Sequence, residues 1–254
     1  MPRIPAIDVN KNSVHKRERF KKFFGNRERV FLPVIHSRDE EEAMRRLEVV
    51  RKVGADGAFL VNHGIGHQKL LRIARTAVMR YPDLFLGVKC LDLRPQDVFC
   101  RLPQGVRGVW VDNAGANARS SEAATAIRTA RQESGWEGLY FGGVAFDFQS
   151  SKEELELALS AALRHVDVIA ITPAGTDEPP NVEEARRICS AIGVHPLAMV
   201  FRAKSENIVP LLPHVDCYFV TTGISRTSHV LNQKRALAFA ERAMRSLQAI
   251  GELD

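Results

Sequence analysis

The sequence predicts an α/β fold: a single (β/α)8 barrel, the TIM-barrel architecture, with a basic helical extension at its N-terminus. Three observations predict it. From Val30 onward, short β-rich apolar runs alternate with amphipathic segments eight times. The runs are continuous rather than alternating, as strands buried on both faces of a parallel sheet require. Eight such units in about 225 residues match the usual size of this fold. The competing doubly wound sheet lacks its signature, because no GxGxxG follows the first run.

Taken in order, residues 1–29 come first. They hold nine Lys or Arg against Asp8, Glu18 and Glu28, so the whole formal excess of +6 lies there. Within "HKRERFKKFF", Phe20, Phe23 and Phe24 recur at helical spacing. The favoured reading is a leading helix whose phenylalanines cover an open barrel end while its charges face water. Docking on nucleic acid, an acidic partner or an anionic membrane surface is the alternative. Residues 1–29 are thus read as an extension and residues 30–254 as the barrel domain.

The eight strand candidates are residues 30–36, 58–62, 84–89, 108–113, 138–144, 166–172, 196–201 and 216–221. Between them, residues 38–53 start acidic, end basic and stop at Gly54, as a helix dipole and its C-terminal cap prefer. Helical spacing also marks residues 68–80, 122–134, 152–164, 182–192 and 233–249. Shorter helices are expected in "RPQDVFCRL" and "SENIVPLL". The turns "GADG", "YPD", "HVD" and "PHVD" before strands read as ordinary helix-to-strand connections.

A hydrophobic content of 45% excludes global disorder. No run of eighteen apolar residues and no signal-peptide pattern is present, which predicts a cytoplasmic protein. Cys90, Cys100, Cys189 and Cys217 have no CxxC spacing, so packing thiols are expected rather than a zinc site or a disulfide framework.

In such barrels chemistry sits at the carboxyl ends of the strands. Polar residues end these apolar runs. Asp112 closes "VWVD" beside Trp110 and Asn113, where partial desolvation would make its carboxylate a useful base or a ribose-hydroxyl acceptor. Lys89 ends the third strand and either pairs with an acid such as Asp112 or serves as a Schiff-base or enolate-stabilising lysine. In "NHGIGH", Asn62 and His63 are candidates for hydrogen bonds to a hydroxylated or heteroaromatic ligand, the glycines allowing a sharp turn. His67 is expected to point away from the mouth. His36 and Asn113 complete this side, while Cys90 is read as packing. Gly142 and Gly143 suit either close approach by a flat ligand or a bulge. An anion would be held by Thr172, Arg202, Lys204, Thr222, Gly223, Ser225 and Arg226, through cations and a glycine turn. Neither a metal nor another cofactor is expected, because no HxH or HExxH spacing supports a ligand set.

The segments "ENIVPLLPHVDCYFVTTGIS", "ITPAGTDEPPNVEEARRI" and "PVIH" resemble the BtpA-like family of TIM barrels, relatives of the phosphate-binding barrels. The resemblance spans residues 30 to about 245. It departs from the family pattern at "AGTDEPP", with Asp177 where relatives carry glycine, and at "FRAKSEN" in place of a glycine-rich turn. Two classes follow. One is an enzyme acting on a small phosphorylated or ribosyl metabolite as a lyase, isomerase or glycosyl or phosphoribosyl transferase. The other, implied by the resemblance, is a non-catalytic assembly or regulatory factor working through its basic tail. Apolar helices such as residues 152–163 also make a homo-oligomer an open expectation.

Overall fold

The computed structural model describes residues 9–36, 38–114, 121–144, 152–171, 182–201, 209–220, 225–227, 230–231, 234–238 and 241. Its strands are β1 (Val30–His36), β2 (Gly57–Val61), β3 (Phe85–Lys89), β4 (Gly108–Val111), β5 (Leu139–Gly143), β6 (Val168–Ile171), β7 (Leu197–Phe201) and β8 (Cys217–Val220). They pair in parallel in chain order, and β8 returns to β1, which closes the barrel. Around it lie α2 (Glu40–Lys52), α3 (His67–Arg80), α4 (Ser121–Ser134), α5 (Lys152–Ala162) and α6 (Val182–Ile192), with α1 (Val9–Phe24) preceding β1. Residues 234–238 and 241 are helical within the expected last helix, whose remainder lies outside the described residues.

The first expected short helix is replaced by 3-10 turns, and the described part of the second, whose residues 205–208 lie outside the described residues, holds one. After β3 these are Pro95–Asp97 and Phe99–Arg101, and before β8 there is Val209–Leu211. Prolines at 95, 103, 210 and 213 bracket segments too short to propagate an α-helix, and each removes a backbone donor. A two-stranded antiparallel ribbon, β9 (Ser225–Thr227) with β10 (Val230–Leu231), follows β8 and was not foreseen.

Side chains of two kinds fill the interior. Phe59, Phe85, Trp110, Phe141 and Phe219 pack ring against ring, with Phe59 4.8 Å from Phe219 and 5.2 Å from Phe141 between centroids. Glycine makes the room. A Cβ on Gly87 would lie 2.3 Å from the Phe59 ring, and one on Gly108 2.8 Å from Phe85. Large residues on some strands thus require small ones on their neighbours. A second cluster, including Leu47, Ile73, Ile127, Ile169 and Ile188, joins the outer face of the sheet to the helices.

α1 closes the amino-terminal end. Phe20 and Phe24 are buried in the interior cluster, and Phe24 lies 4.7 Å from Phe85 between centroids. Aspartates at the feet of three strands hold this end together, so the turns read as ordinary connections do more than connect. Asp56 accepts from the Phe31 N–H at 2.8 Å and pairs with Arg27 at 2.7 Å. Asp216 accepts from the Leu197 N–H at 2.8 Å and pairs with Arg17 at 2.5 Å. Asp167 accepts from the Tyr140 N–H at 2.9 Å and pairs with Lys16 at 2.8 Å. Each carboxylate therefore joins two neighbouring strands and recruits a cation from the leading segment. None of the helices among the described residues is long and apolar enough to cross a membrane.

Candidate active site at the barrel mouth

Strand parity builds the site. Phe85 on β3 and Trp110 on β4 belong to the interior cluster, and Gly87 faces the interior Phe59 ring. The two-residue period of a strand then brings Lys89 and Asp112 to the same inner side at the carboxyl end. There Lys89 Nζ lies 2.5 Å from Asp112 Oδ1 and 3.8 Å from the centre of the Trp110 ring. A carboxylate and an indole face both favour a cation at that point. Lys89 is largely enclosed, whereas the Asp112 side chain remains 44% exposed. The expectation of a desolvated Asp112 is therefore corrected: β4 ends at Val111, so the carboxylate stands past the strand, in reach of water and bound to a lysine.

Beside this pair opens a cavity of about 490 Å³, lined by Lys89, Trp110, Asp112, Asn113, Leu91 and Arg94 among others. Trp110 forms part of its wall, and the buried indole N–H has no hydrogen-bond partner among the described residues. The contribution of the loop after β3, through Leu91 and Arg94, was missed in the sequence, where "RPQDVFCRL" reads as a short helix and Leu91 carries no polar signal. Cys90 also lines the cavity, but burial, aided by the negative charge of Asp92, pushes its thiol up to about 12. It is consistent with packing, not nucleophilic chemistry.

His36 ends β1, with its ring 5.6 Å from that of His63 in an edge-on arrangement. The His36 carbonyl accepts from Arg46 Nη1 at 2.7 Å, and the same guanidinium contacts Glu42, which fixes the start of α2 against the strand end.

Asn62 has a different task from the one expected. Val61 faces the interior, so the next residue turns outward. Its Oδ1 accepts from the Leu91 N–H at 2.6 Å and its Nδ2 donates to Asp92 Oδ1 at 2.5 Å. The amide is buried and spent on bracing the loop after β3, not offered to a ligand. Asp92 in turn accepts from the His67 N–H at 3.0 Å and lies 2.9 Å from His67 Nδ1, which stitches that loop to the first turn of α3. Partial burial would raise Asp92, but hydrogen bonds from the His67 ring and N–H and from Asn62 outweigh it and hold the carboxyl below its ordinary value. His67 thus turns toward Asp92 in the loop after β3, and neither residue lines the cavity beside Lys89. Among the described residues no three of His, Cys, Asp and Glu gather as a metal donor set.

Gly142 is explained by packing, since a Cβ there would meet Val166 at 2.4 Å and Ala114 at 2.6 Å. Thr172, Arg202, Lys204, Thr222 and Gly223 lie outside the described residues. Ser225 and Arg226 fall in β9, and only their backbone is described.

No family model matches the chain, and no curated protein matches it. Solved structures do. Tryptophan synthase alpha chain from Legionella pneumophila subsp. pneumophila aligns with a TM-score of 0.64 at 14% identity, over 94% of this chain and 98% of that one. Phospho-2-dehydro-3-deoxyheptonate aldolase from Thermotoga maritima gives 0.62 at 12%, over 89% and 70%. Phosphoribosylanthranilate isomerase from Thermotoga maritima gives 0.57 at 15%, over 85% and 99%. At these identities the likeness establishes the (β/α)8 barrel, and a shared fold does not carry a shared reaction.

Proposed function

We propose that the protein is a cytoplasmic enzyme acting at the barrel mouth on a small phosphorylated or ribosyl metabolite, through lyase, isomerase or glycosyl or phosphoribosyl transfer chemistry. The observation that carries this reading is the Lys89–Asp112 pair set against Trp110 at the edge of an open cavity. In this scheme the Lys89 ammonium stabilises negative charge developing on a carbonyl or phosphate oxygen. Asp112, already exposed to the cavity, takes the proton or accepts a ribose hydroxyl, and His63 contributes a second proton-handling group from the neighbouring loop. The ion pair supports an electrostatic role for Lys89 over attack as a free amine. His36 and Asn113 flank the reacting centre, while Thr172, Arg202, Lys204, Thr222, Gly223, Ser225 and Arg226 form the anion-holding side.

Similar barrels bearing the names of an aldolase, a synthase and an isomerase, two of them naming phosphorylated compounds, support the class. So does the resemblance to BtpA-like barrels. A non-catalytic factor working through the basic segment has less support, because Lys16, Arg17, Arg19 and Arg27 are engaged with the aspartates of the barrel's own foot.

Thermal unfolding against a panel of phosphorylated sugars and nucleotides tests the proposal. A ligand at one hundred times its dissociation constant stabilises the fold by about 2.7 kcal/mol. Stabilisation of the wild type that is lost in both Lys89→Met and Arg202→Ala is the expected result. No stabilisation by any phosphorylated compound, or equal stabilisation of the variants, overturns it.

A further inference from the structure

We propose that a second cavity, at the opposite end of the barrel from the mouth, binds a compact phosphate-bearing anion. It lies between α1, α4 and the feet of β5 and β6, and its volume is about 380 Å³, within the range of small-molecule sites. Among its lining residues are Lys16, Arg19, Arg128, Arg131 and Arg164, while the lining acids are Asp167 and Glu137.

Comparison of the three aspartate clamps shows why this corner is more than a brace. Asp56 pairs with Arg27, and Asp216 pairs with Arg17. Among the described residues one cation pairs with each. Asp167, fully buried, meets Lys16 at 2.8 Å, Arg131 at 2.5 Å and Arg19 at 3.5 Å, so three cations surround one carboxylate. Arg128 and Arg164 add to that excess from the rim. Both are exposed, and neither side chain has a hydrogen-bond or ion-pair partner among the described residues.

Two neighbouring histidines are depressed first by burial, and the cations add to it. Burial, reinforced by Lys16 and Arg128, pushes the His165 imidazole below its ordinary value. Burial, with Lys16 and Arg17 adding to it and Asp167 opposing it, does the same to His195. The Tyr140 hydroxyl, on a residue that lines this cavity, is buried without a hydrogen-bond partner among the described residues. Guanidinium groups suit phosphate oxygens, to which they present paired donors, and uncompensated cations in a recess favour a multiply charged anion over a carboxylate. A recess of about 380 Å³ matches a compact ligand in size.

Calorimetric titration of the full chain with inorganic pyrophosphate and with inorganic phosphate tests this. Arg128→Gln/Arg164→Gln is the diagnostic variant, since both side chains are exposed and make no contact on which folding depends. Lys89→Met is the control at the mouth. Saturable binding is expected in the wild type that is at least about tenfold weaker in the double variant, retained in Lys89→Met and weaker at high salt. The proposal fails if no saturable binding is seen at millimolar pyrophosphate, or if the double variant binds as the wild type does. Loss of binding in Lys89→Met would assign the site to the mouth and equally overturn it. Binding of single-stranded RNA without binding of pyrophosphate would make this face a polyanion surface, not a small-anion site.

Discussion

Asn62 stands one residue beyond the inward-facing Val61, and that single step of parity decides what it does. Its amide braces the loop after β3 through Leu91 and Asp92. Asn62→Leu leaves a buried N–H unpaired, so equilibrium urea unfolding is expected to show a loss of about 1–3 kcal/mol. Lys89→Met should behave in the opposite way. Its partner carboxylate is 44% exposed, so solvent screening leaves little stability to lose, about 1 kcal/mol or less, while the ligand-dependent rise in melting temperature disappears. The two variants therefore separate a group that shapes the mouth from one that works in it. The sequence showed which residues terminate the strands, because polar residues there interrupt apolar runs. It did not show which of them face inward. A strand buried on both sides has no alternation of polarity, so the in-or-out parity of Asn62 and Lys89 is invisible until the interior partners Phe59, Phe85 and Trp110 are known.

Elements repeat this lesson at larger size. α2 was legible throughout because its ends are chemically marked: Asp39 caps the first turn by accepting from the Glu42 N–H at 2.8 Å, and Arg51 and Lys52 occupy the last. Asp39→Ala should lower stability by about 1 kcal/mol, measured by denaturant unfolding, with the barrel itself intact. The 3-10 turns after β3 and before β8 were less legible, since apolar spacing over so few residues cannot distinguish a helix from a pair of turns. α1 tests the element scale more severely. Its phenylalanine spacing was plain, but the partners that bury it come from strands far along the chain. Phe20 is among the largest fully buried side chains, and Phe20→Ala opens a void at the barrel foot. A loss of about 3–5 kcal/mol is expected by the same measurement. A much smaller loss would mean that α1 rests on the barrel without sealing it.

For the molecule as a whole, the buried charges of the amino-terminal end set the response to acid. Full burial alone would raise Asp167, but Arg131, Lys16 and Arg19 outweigh it and hold the carboxyl at about 2. The stability this contributes is complete above the unfolded value of about 3.8 and is lost as pH falls from there toward 2. His195 acts earlier. Both ring nitrogens are buried without hydrogen-bond partners among the described residues, and burial, with Lys16 and Arg17 adding to it, depresses the imidazole to about 3. The folded chain therefore keeps it neutral at pH values where the unfolded chain takes up a proton. Its contribution is complete above about pH 6.5 and declines by up to about 1.4 kcal/mol per pH unit as pH falls toward 3. His195→Leu removes that proton from the balance. Unfolding free energy measured in urea from about pH 7 down to about pH 4 should fall less steeply in the variant, by close to one proton's worth of slope, with little difference between the proteins at the upper end. Parallel curves would mean that burial does not hold His195 neutral inside the fold.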